Sequence, residues 1–257
     1  MKQLSGLDAA FLYMETPTTF GHVTGLMVFD RPSPDFDPYA AVHEMYGSLV
    51  GRVEPMRRRL AEVPFNLDHP YWVFDPNFDL DYHIRQLNIP APGLVDQLAE
   101  QVARIVGRPM DRSRPLWEVY VIEGLANGWW ALLTKYHHAT IDGAAGQLLL
   151  EMVLSGDPDA PTPEPSPEWE PDELPSPGEL LKLTVANLAR NPLKALRTQV
   201  RIARTAAEAL GINDVAGMTG AASDLLRKAA GRPIQHHERI SLPTTPAPPT
   251  PWNKAIT

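Results

Sequence analysis

Apolar positions along the chain fall into short runs whose period changes from one run to the next. Across positions 20–29 they partly alternate and are rich in β-branched and aromatic residues, which predicts a strand. Positions 37–50 carry helical spacing behind an Asp-Pro start, which predicts a helix. A strand near positions 79–86 and a helix over 95–106 are expected next. The clearest unit is the pair of runs at 116–124 and 129–138, joined through Leu125-Ala126-Asn127-Gly128. Asn-Gly favours the positive φ angles of a hairpin turn, so these runs are expected to be antiparallel neighbours. Positions 143–154, with Leu148-Leu149-Leu150 and Met152-Val153, suit a buried helix. Strands and helices are mixed without the regular βαβ repeat of a parallel sheet, so the expected class is α/β with a mixed sheet.

Beyond residue 156 the pattern changes. Between Asp157 and Pro177 stand eight prolines and seven acidic residues with no lysine or arginine. Such a composition self-repels and cannot bury a core. Residues 157–178 are therefore read as an acidic, proline-rich linker that separates a first domain, 1–156, from a basic helical segment, 179–232. That segment holds nine basic and four acidic residues, a net of +5 within a chain of net charge −8. Leu193, Leu196, Val200, Ala203, Ala207 and Leu210 keep a three-four spacing beside Lys194, Arg197, Arg201 and Arg204. A greasy face with a cationic flank suits docking on an anionic bilayer and suits packing within the protein equally well. Residues 233–257 bring a second proline-rich stretch and no closing apolar element, and are read as a crossover toward a C-terminal domain.

Composition narrows the function. A chain that is 44% hydrophobic has material for a core, and its 27 prolines cluster outside the periodic segments. The negative net charge argues against nucleic acid as a partner. Absence of cysteine excludes a disulfide framework, thiolate zinc sites and an acyl-cysteine intermediate. Asp8 and Glu15 interrupt the N-terminal apolar residues before they reach the length of a secretory signal. No run of eighteen apolar residues is present. The expectation is a cytoplasmic protein, with peripheral contact to the inner membrane or to lipid droplets left open.

The chemistry is concentrated in His137-His138-Ala139-Thr140-Ile141-Asp142-Gly143, an HHxxxDG pattern at the end of the hairpin's second strand. Side chains alternate across a strand, so His137 and His138 are expected to face opposite sides and only one of them enters a given site. The pattern thus proposes one base. Asp142 precedes a glycine-containing helix, where it would cap the helix or hold a cation, while Gly143 and Gly146 would let a ligand approach the backbone closely. A second pair, His236-His237, lacks the Asp-Gly and is read as a polar surface pair. No third ligand stands at useful spacing, so no metal site is expected. There is no Gly-x-Ser-x-Gly elbow to supply a serine nucleophile.

The HHxxxDG constellation resembles the superfamily of chloramphenicol acetyltransferase, carnitine acyltransferases and peptide-synthetase condensation domains. Three further segments make the resemblance narrower: Leu4-Ser5-Gly6-Leu7-Asp8-Ala9-Ala10-Phe11-Leu12, Asp111-Arg112-Ser113-Arg114-Pro115-Leu116-Trp117-Glu118, and Pro249-Thr250-Pro251-Trp252-Asn253. With them the chain resembles the N-terminal half of the bacterial wax ester synthase/diacylglycerol acyltransferase family. The resemblance implies a chloramphenicol acetyltransferase-like mixed sheet flanked by helices, with the helical segment added. It implies a CoA-dependent O-acyltransferase that moves a fatty acyl group from acyl-CoA to diacylglycerol or to a long-chain alcohol.

In that family the second histidine, here His138, would be the general base. Asp142 would organise the loop, His137 would support, and Arg112 or Arg114 would be the partner of Asp142. Acyl-CoA is then a substrate and no cofactor is implied. The partners would be acyl-CoA, a lipid alcohol and the C-terminal half of the same enzyme. Two other readings fit the same residues: a condensation-type acyltransferase using a carrier-bound acyl group, and an acyl-lipid binding module without catalysis.

Overall fold

The computed structural model describes residues 1–141 and 168–190. In chain order its strands are β1 (Lys2–Gln3), β2 (His22–Phe29), β3 (Arg58–Ala61), β4 (Tyr71–Phe74), β5 (Ile84–Asn88), β6 (Trp117–Glu123) and β7 (Trp130–His137). Its helices are α1 (Gly6–Tyr13), α2 (Pro38–Val50), α3 (Leu80–His83), α4 (Val95–Val106) and α5 (Pro177–Arg190). The described residues fall into two units, one of residues 1–61, 70–141 and 168–174, the other of residues 62–69 and 175–190.

In the first unit the two most apolar runs become the two central strands of a sheet ordered β2-β7-β6-β5. β7 is antiparallel to both β2 and β6, while β5 lies parallel to β6. The remaining three strands form a smaller antiparallel sheet in the order β1-β4-β3. The central strands β6 and β7 are apolar-rich because both of their faces are covered. On one face Trp117, Val119, Val121, Trp130 and Leu132 pack with Val42, Tyr46 and Val50 of α2 and with Met56 and Ile84. On the other, Tyr120, Ile122, Ala131 and Leu133 meet Leu98 and Ile105 of α4. The Asn-Gly turn between β6 and β7 has positive φ at both residues, 64° at Asn127 and 74° at Gly128, as the pattern requires.

Local chemistry sets the helix starts. The Asp37 side chain accepts a hydrogen bond from the Ala40 N–H and Pro38 occupies the first turn, so α2 begins where the Asp-Pro pair predicts. α4 occupies the predicted span and carries its apolar residues toward the sheet through Leu98 and Ile105. With β5 before it and β6 after it, α4 forms a single βαβ crossover, which is why β5 and β6 are parallel.

The strand expected near 79–86 is corrected. Its first half is the helical turn α3, capped by the Asp79 carboxylate, which accepts from the Asp81 N–H, and extended structure begins only at Ile84. The reason lies at His83. Its ring is wholly buried and stacks 4.3 Å from Trp117 and 5.3 Å from Phe78, and its Nδ1–H donates to the Trp117 carbonyl at 2.7 Å. A turn is needed to bring that ring under β6, and the local alternation does not encode it.

Burial holds His83 down at about 4, although its bond to Trp117 and the nearby Glu118 charge pull the other way. A lowered folded-state value means that the unfolded chain binds the proton more tightly. The stability contribution is therefore complete above pH 6.5 and is lost as pH falls from there toward 4. The loss attributable to this ring is about 3 kcal/mol. Urea unfolding of the wild type and of His83→Gln across pH 4–7 measures it, the variant being expected to show the shallower dependence. Identical slopes would assign the acid loss elsewhere.

Residues 168–174 close back onto the first unit. The Trp169 ring lies 5.3 Å from the Arg57 guanidinium and 6.1 Å from both Phe74 and Phe78. The Asp172 carboxylate accepts from the Phe74 N–H at 2.9 Å. Composition predicts a solvated linker here, yet one tryptophan and one backbone pairing anchor its described end. In the second unit α5 begins with a reciprocal cap: Ser176 Oγ accepts from the Glu179 N–H, and the Glu179 carboxylate accepts from the Ser176 N–H. It buries Leu180 and Thr184, one turn apart. The helix expected at 143–154, the linker through residue 167, the basic stripe from Lys194 to Arg204 and the stretch 233–257 lie outside the described residues. Among those described, no helix is long and apolar enough to cross a membrane.

Candidate functional site

β7 ends at His137, so the two histidines of the motif sit where the strand turns into a loop. His137 shares a sheet face with Lys135 and Glu118, and its side chain is 2% exposed. Its backbone N–H donates to the Leu116 carbonyl at 3.0 Å, and its carbonyl accepts from the N–H groups of Thr140 and Ile141. Nδ1 of the ring accepts from the Ala139 N–H at 3.0 Å. In neutral imidazole the proton must then sit on Nε2, which donates to the Glu15 carboxylate at 3.1 Å. Burial lowers His137 and outweighs the pull of Glu15, so this ring is held neutral.

His138 has a different setting. Its N–H donates to the Gly21 carbonyl at 2.8 Å, which fixes the backbone, while the half-buried ring stacks on Phe11 with centroids 4.8 Å apart and planes 15° apart. Phe11 belongs to α1, whose start is set by Ser5: its hydroxyl accepts from the Asp8 N–H and donates to the Asp8 carboxylate. One histidine is locked by two hydrogen bonds, and the other is held by its backbone and the face of one ring.

Glu15 joins the elements around them. Its Oε1 accepts from the Gly21 N–H at 2.8 Å and from His137, and its Oε2 accepts from Arg112 at 2.8 Å. Arg112 also donates to the Leu12 carbonyl at the end of α1. Burial raises the Glu15 carboxyl, but the Arg112 and Gly21 bonds and the Arg112 charge together hold it below the ordinary carboxylate range. It is therefore an anion that ties α1, the entry to β2 and the end of β7 into one frame.

Gly21 is part of that frame. A Cβ there would stand 3.0 Å from His137 Nε2 and 3.1 Å from the Phe11 carbonyl. Gly21→Ala is expected to cost about 1–3 kcal/mol, the usual penalty for crowding a filled site. Chemical denaturation measures it. An unchanged midpoint would mean that the His137 ring shifts freely.

Asp142, Gly143 and Gly146 lie outside the described residues. Of the two arginines considered for Asp142, Arg112 reaches Glu15, whereas Arg114 donates to the Asn77 carbonyl at 2.5 Å and lies over the Tyr82 ring. Among the described residues no cluster of three metal-ligating side chains occurs. Sequence reasoning missed Glu15 and Gly21 as parts of the site, and used Phe11 only for resemblance. A signal for Glu15 existed, since it is the one acidic side chain between Asp8 and Asp30.

The profile of the wax ester synthase/diacylglycerol acyltransferase catalytic domain matches residues 4–257. The chain belongs to the wax ester synthase/diacylglycerol acyltransferase family. It is 45% identical over 167 residues to a Mycobacterium tuberculosis protein named as a diacylglycerol O-acyltransferase, covering 64% of this chain and 33% of that one. To another protein so named from the same organism it is 35% identical over 190 residues, covering 74% of this chain and 69% of the relative.

Among solved structures, the wax ester synthase/diacylglycerol acyltransferase from Marinobacter aquaeolei VT8 matches with a TM-score of 0.53 at 30% identity. That match covers 79% of this chain and 46% of the other. The mixed sheet flanked by helices is the chloramphenicol acetyltransferase-like architecture that the motif implied. The chain spans 33% and 44% of the length of two of its M. tuberculosis relatives. The family match takes in Phe11, Glu15, Gly21, Arg112 and the whole HHxxxDG segment.

Proposed function

We propose that the protein is an acyl-CoA-dependent O-acyltransferase that esterifies diacylglycerol, a long-chain alcohol or both, with His138 as the general base. The observation that carries the reading is the division of labour within the motif. His137 is committed to Glu15 and Ala139, while the His138 ring makes no hydrogen bond among the described residues and stands half-buried against Phe11. Imidazole is the side chain suited to gaining and losing a proton near neutral pH. The hydroxyl proton of the acceptor passes to His138 as the alcohol oxygen attacks the thioester carbonyl. The carbon–sulfur bond then breaks, and the departing CoA thiolate takes the proton back from the imidazolium. Transfer is direct, so the enzyme carries no acyl group between steps.

His137, Glu15 and Arg112 act as positioning residues. They hold the loop on which His138 sits to the end of α1, and a base displaced by an ångström loses much of its effect. Asp142 is assigned to ordering the same loop, with Gly143 and Gly146 beside the substrate. Membrane or lipid-droplet contact by the basic segment and walls supplied by a C-terminal domain belong to the same proposal.

The test supplies the full-length protein with palmitoyl-CoA and either dioleoylglycerol or hexadecanol, follows thiol release and identifies the lipid by mass spectrometry. Triacylglycerol or wax ester is expected. Transfer only from a pantetheinyl carrier protein would replace this reading with a condensation-type enzyme, and binding without thiol release would reduce it to a lipid-binding module.

A further inference from the structure

α1 has two apolar faces, and the core of the described residues uses one. Ala9 and Leu12 are buried in the cluster with Leu4, Leu60, Trp72, Leu116 and Ala139. On the remaining surface Leu7, Ala10, Phe11 and Met14 recur at intervals of three, one and three, the spacing of one helical face. Leu7 is 71% exposed and Met14 61%, with Ala10 and Phe11 partly covered. The stripe is about 10 Å long at the helical rise. It is continuous with the site, because its third member is the ring stacked on His138.

Charge selects what can lie there. From Gln3 to Asp30 the chain contains no lysine or arginine, and the acidic groups of α1 and its exit are Asp8 and Glu15. A CoA moiety carries phosphates that call for cationic partners; this segment supplies none, and the Arg112 guanidinium at the end of α1 is paired with Glu15. An uncharged alkyl chain meets only apolar side chains. The acceptor hydroxyl has to reach His138 for its proton to be removed, and an uncharged chain that ends at that ring and runs along α1 fits the acceptor.

We infer that the outer stripe of α1 (Leu7, Ala10, Phe11 and Met14) is the binding surface for the hydrocarbon chain of the acceptor lipid and delivers its hydroxyl to His138. The inference rests on the acyl transfer proposed above. It assigns long-chain acceptor selectivity to a stripe whose exposed ends, Leu7 and Met14, neither remove protons nor touch the base among the described residues.

Two measurements test it separately from the reaction. In the first, the full-length protein is irradiated with a diazirine-bearing hexadecanol and the label is mapped by peptide mass spectrometry. Label is expected within residues 6–15, displaced by excess hexadecanol and retained under palmitoyl-CoA. Labelling elsewhere, or displacement by palmitoyl-CoA, overturns the inference, the latter by placing the donor chain on the stripe. Label on the stripe of a protein that shows no turnover would sink the proposed reaction and leave this binding surface standing.

In the second, Leu7→Gln/Met14→Gln is assayed with hexadecanol and with butanol, which is too short to follow the stripe. The ratio of kcat/KM for hexadecanol to that for butanol is expected to fall roughly tenfold, in line with the loss of two apolar contacts. A parallel fall for both alcohols would overturn the assignment and mark the stripe as a packing surface for another part of the protein.

Discussion

Replacing His138 with alanine is expected to lower acyl transfer by roughly a hundredfold or more while leaving the fold in place. The magnitude is the lower end of what a positioned general base contributes. The fold should survive because the structural work at this position is done by the backbone: the His138 N–H bonded to Gly21 is retained in alanine. The lost stacking partner of Phe11 is a half-buried ring and not a core residue. Steady-state transfer assays and thermal unfolding, run side by side on the full-length protein, check both halves of the expectation. Near-normal turnover by a folded His138→Ala protein would remove this residue from the chemistry. His137→Ala supplies the contrast, since it strips the buried Glu15 of one partner and the Ala139 N–H of its acceptor. There the expected signature is loss of stability with a milder fall in rate.

Lys135→Met is expected to be the most destabilising single change in the described sheet, at about 3–5 kcal/mol, the range for breaking a buried charged pair on one side. Lys135 is 0% exposed, and burial lowers its affinity for a proton against the opposing pull of Glu118. Its ammonium donates to the Ile105 and Arg108 carbonyls, at 3.2 and 2.6 Å, and lies 3.8 Å from the Glu118 carboxylate. Methionine matches the volume but supplies no donor. It would remove the ammonium donor from the Arg108 carbonyl, leave the Ile105 carbonyl with its backbone donor alone, and leave Glu118 with the Tyr120 hydroxyl and a more distant Arg85. Because the pair couples, adding Glu118→Gln to Lys135→Met should recover part of the loss, and urea unfolding of the two single variants and the double variant reads the coupling directly. Strict additivity would mean that Lys135 acts through the α4 carbonyls alone. The consequence reaches the site, since this ammonium adds hydrogen bonds to the apolar packing that already joins α4 to the strand ending at His137.

The sequence by itself determined the elements whose cause is local. The Asp-Pro start of α2, the three-four spacing of α4 and the Asn-Gly turn of the hairpin each express a backbone preference within a few residues, and the structure places them accordingly. The apolar runs of β6 and β7 announced antiparallel neighbours, which the structure shows covered on both faces. The HHxxxDG pattern likewise put its two histidines at a strand end and, with the flanking segments, pointed to the family.

What only the tertiary structure decided depends on groups far apart in the chain. Alternation could not foresee α3, whose turn exists to seat the His83 ring against Trp117, thirty-four residues away. Nor could it tell that Glu15 bonds His137 across 122 positions, that Arg112 rather than a motif residue completes that carboxylate, or that Phe11 supplies the surface on which His138 rests. Burial gives these contacts their meaning, for a carboxylate removed from water must find donors wherever the fold brings them. Spacing along the chain carries no record of which donors those will be.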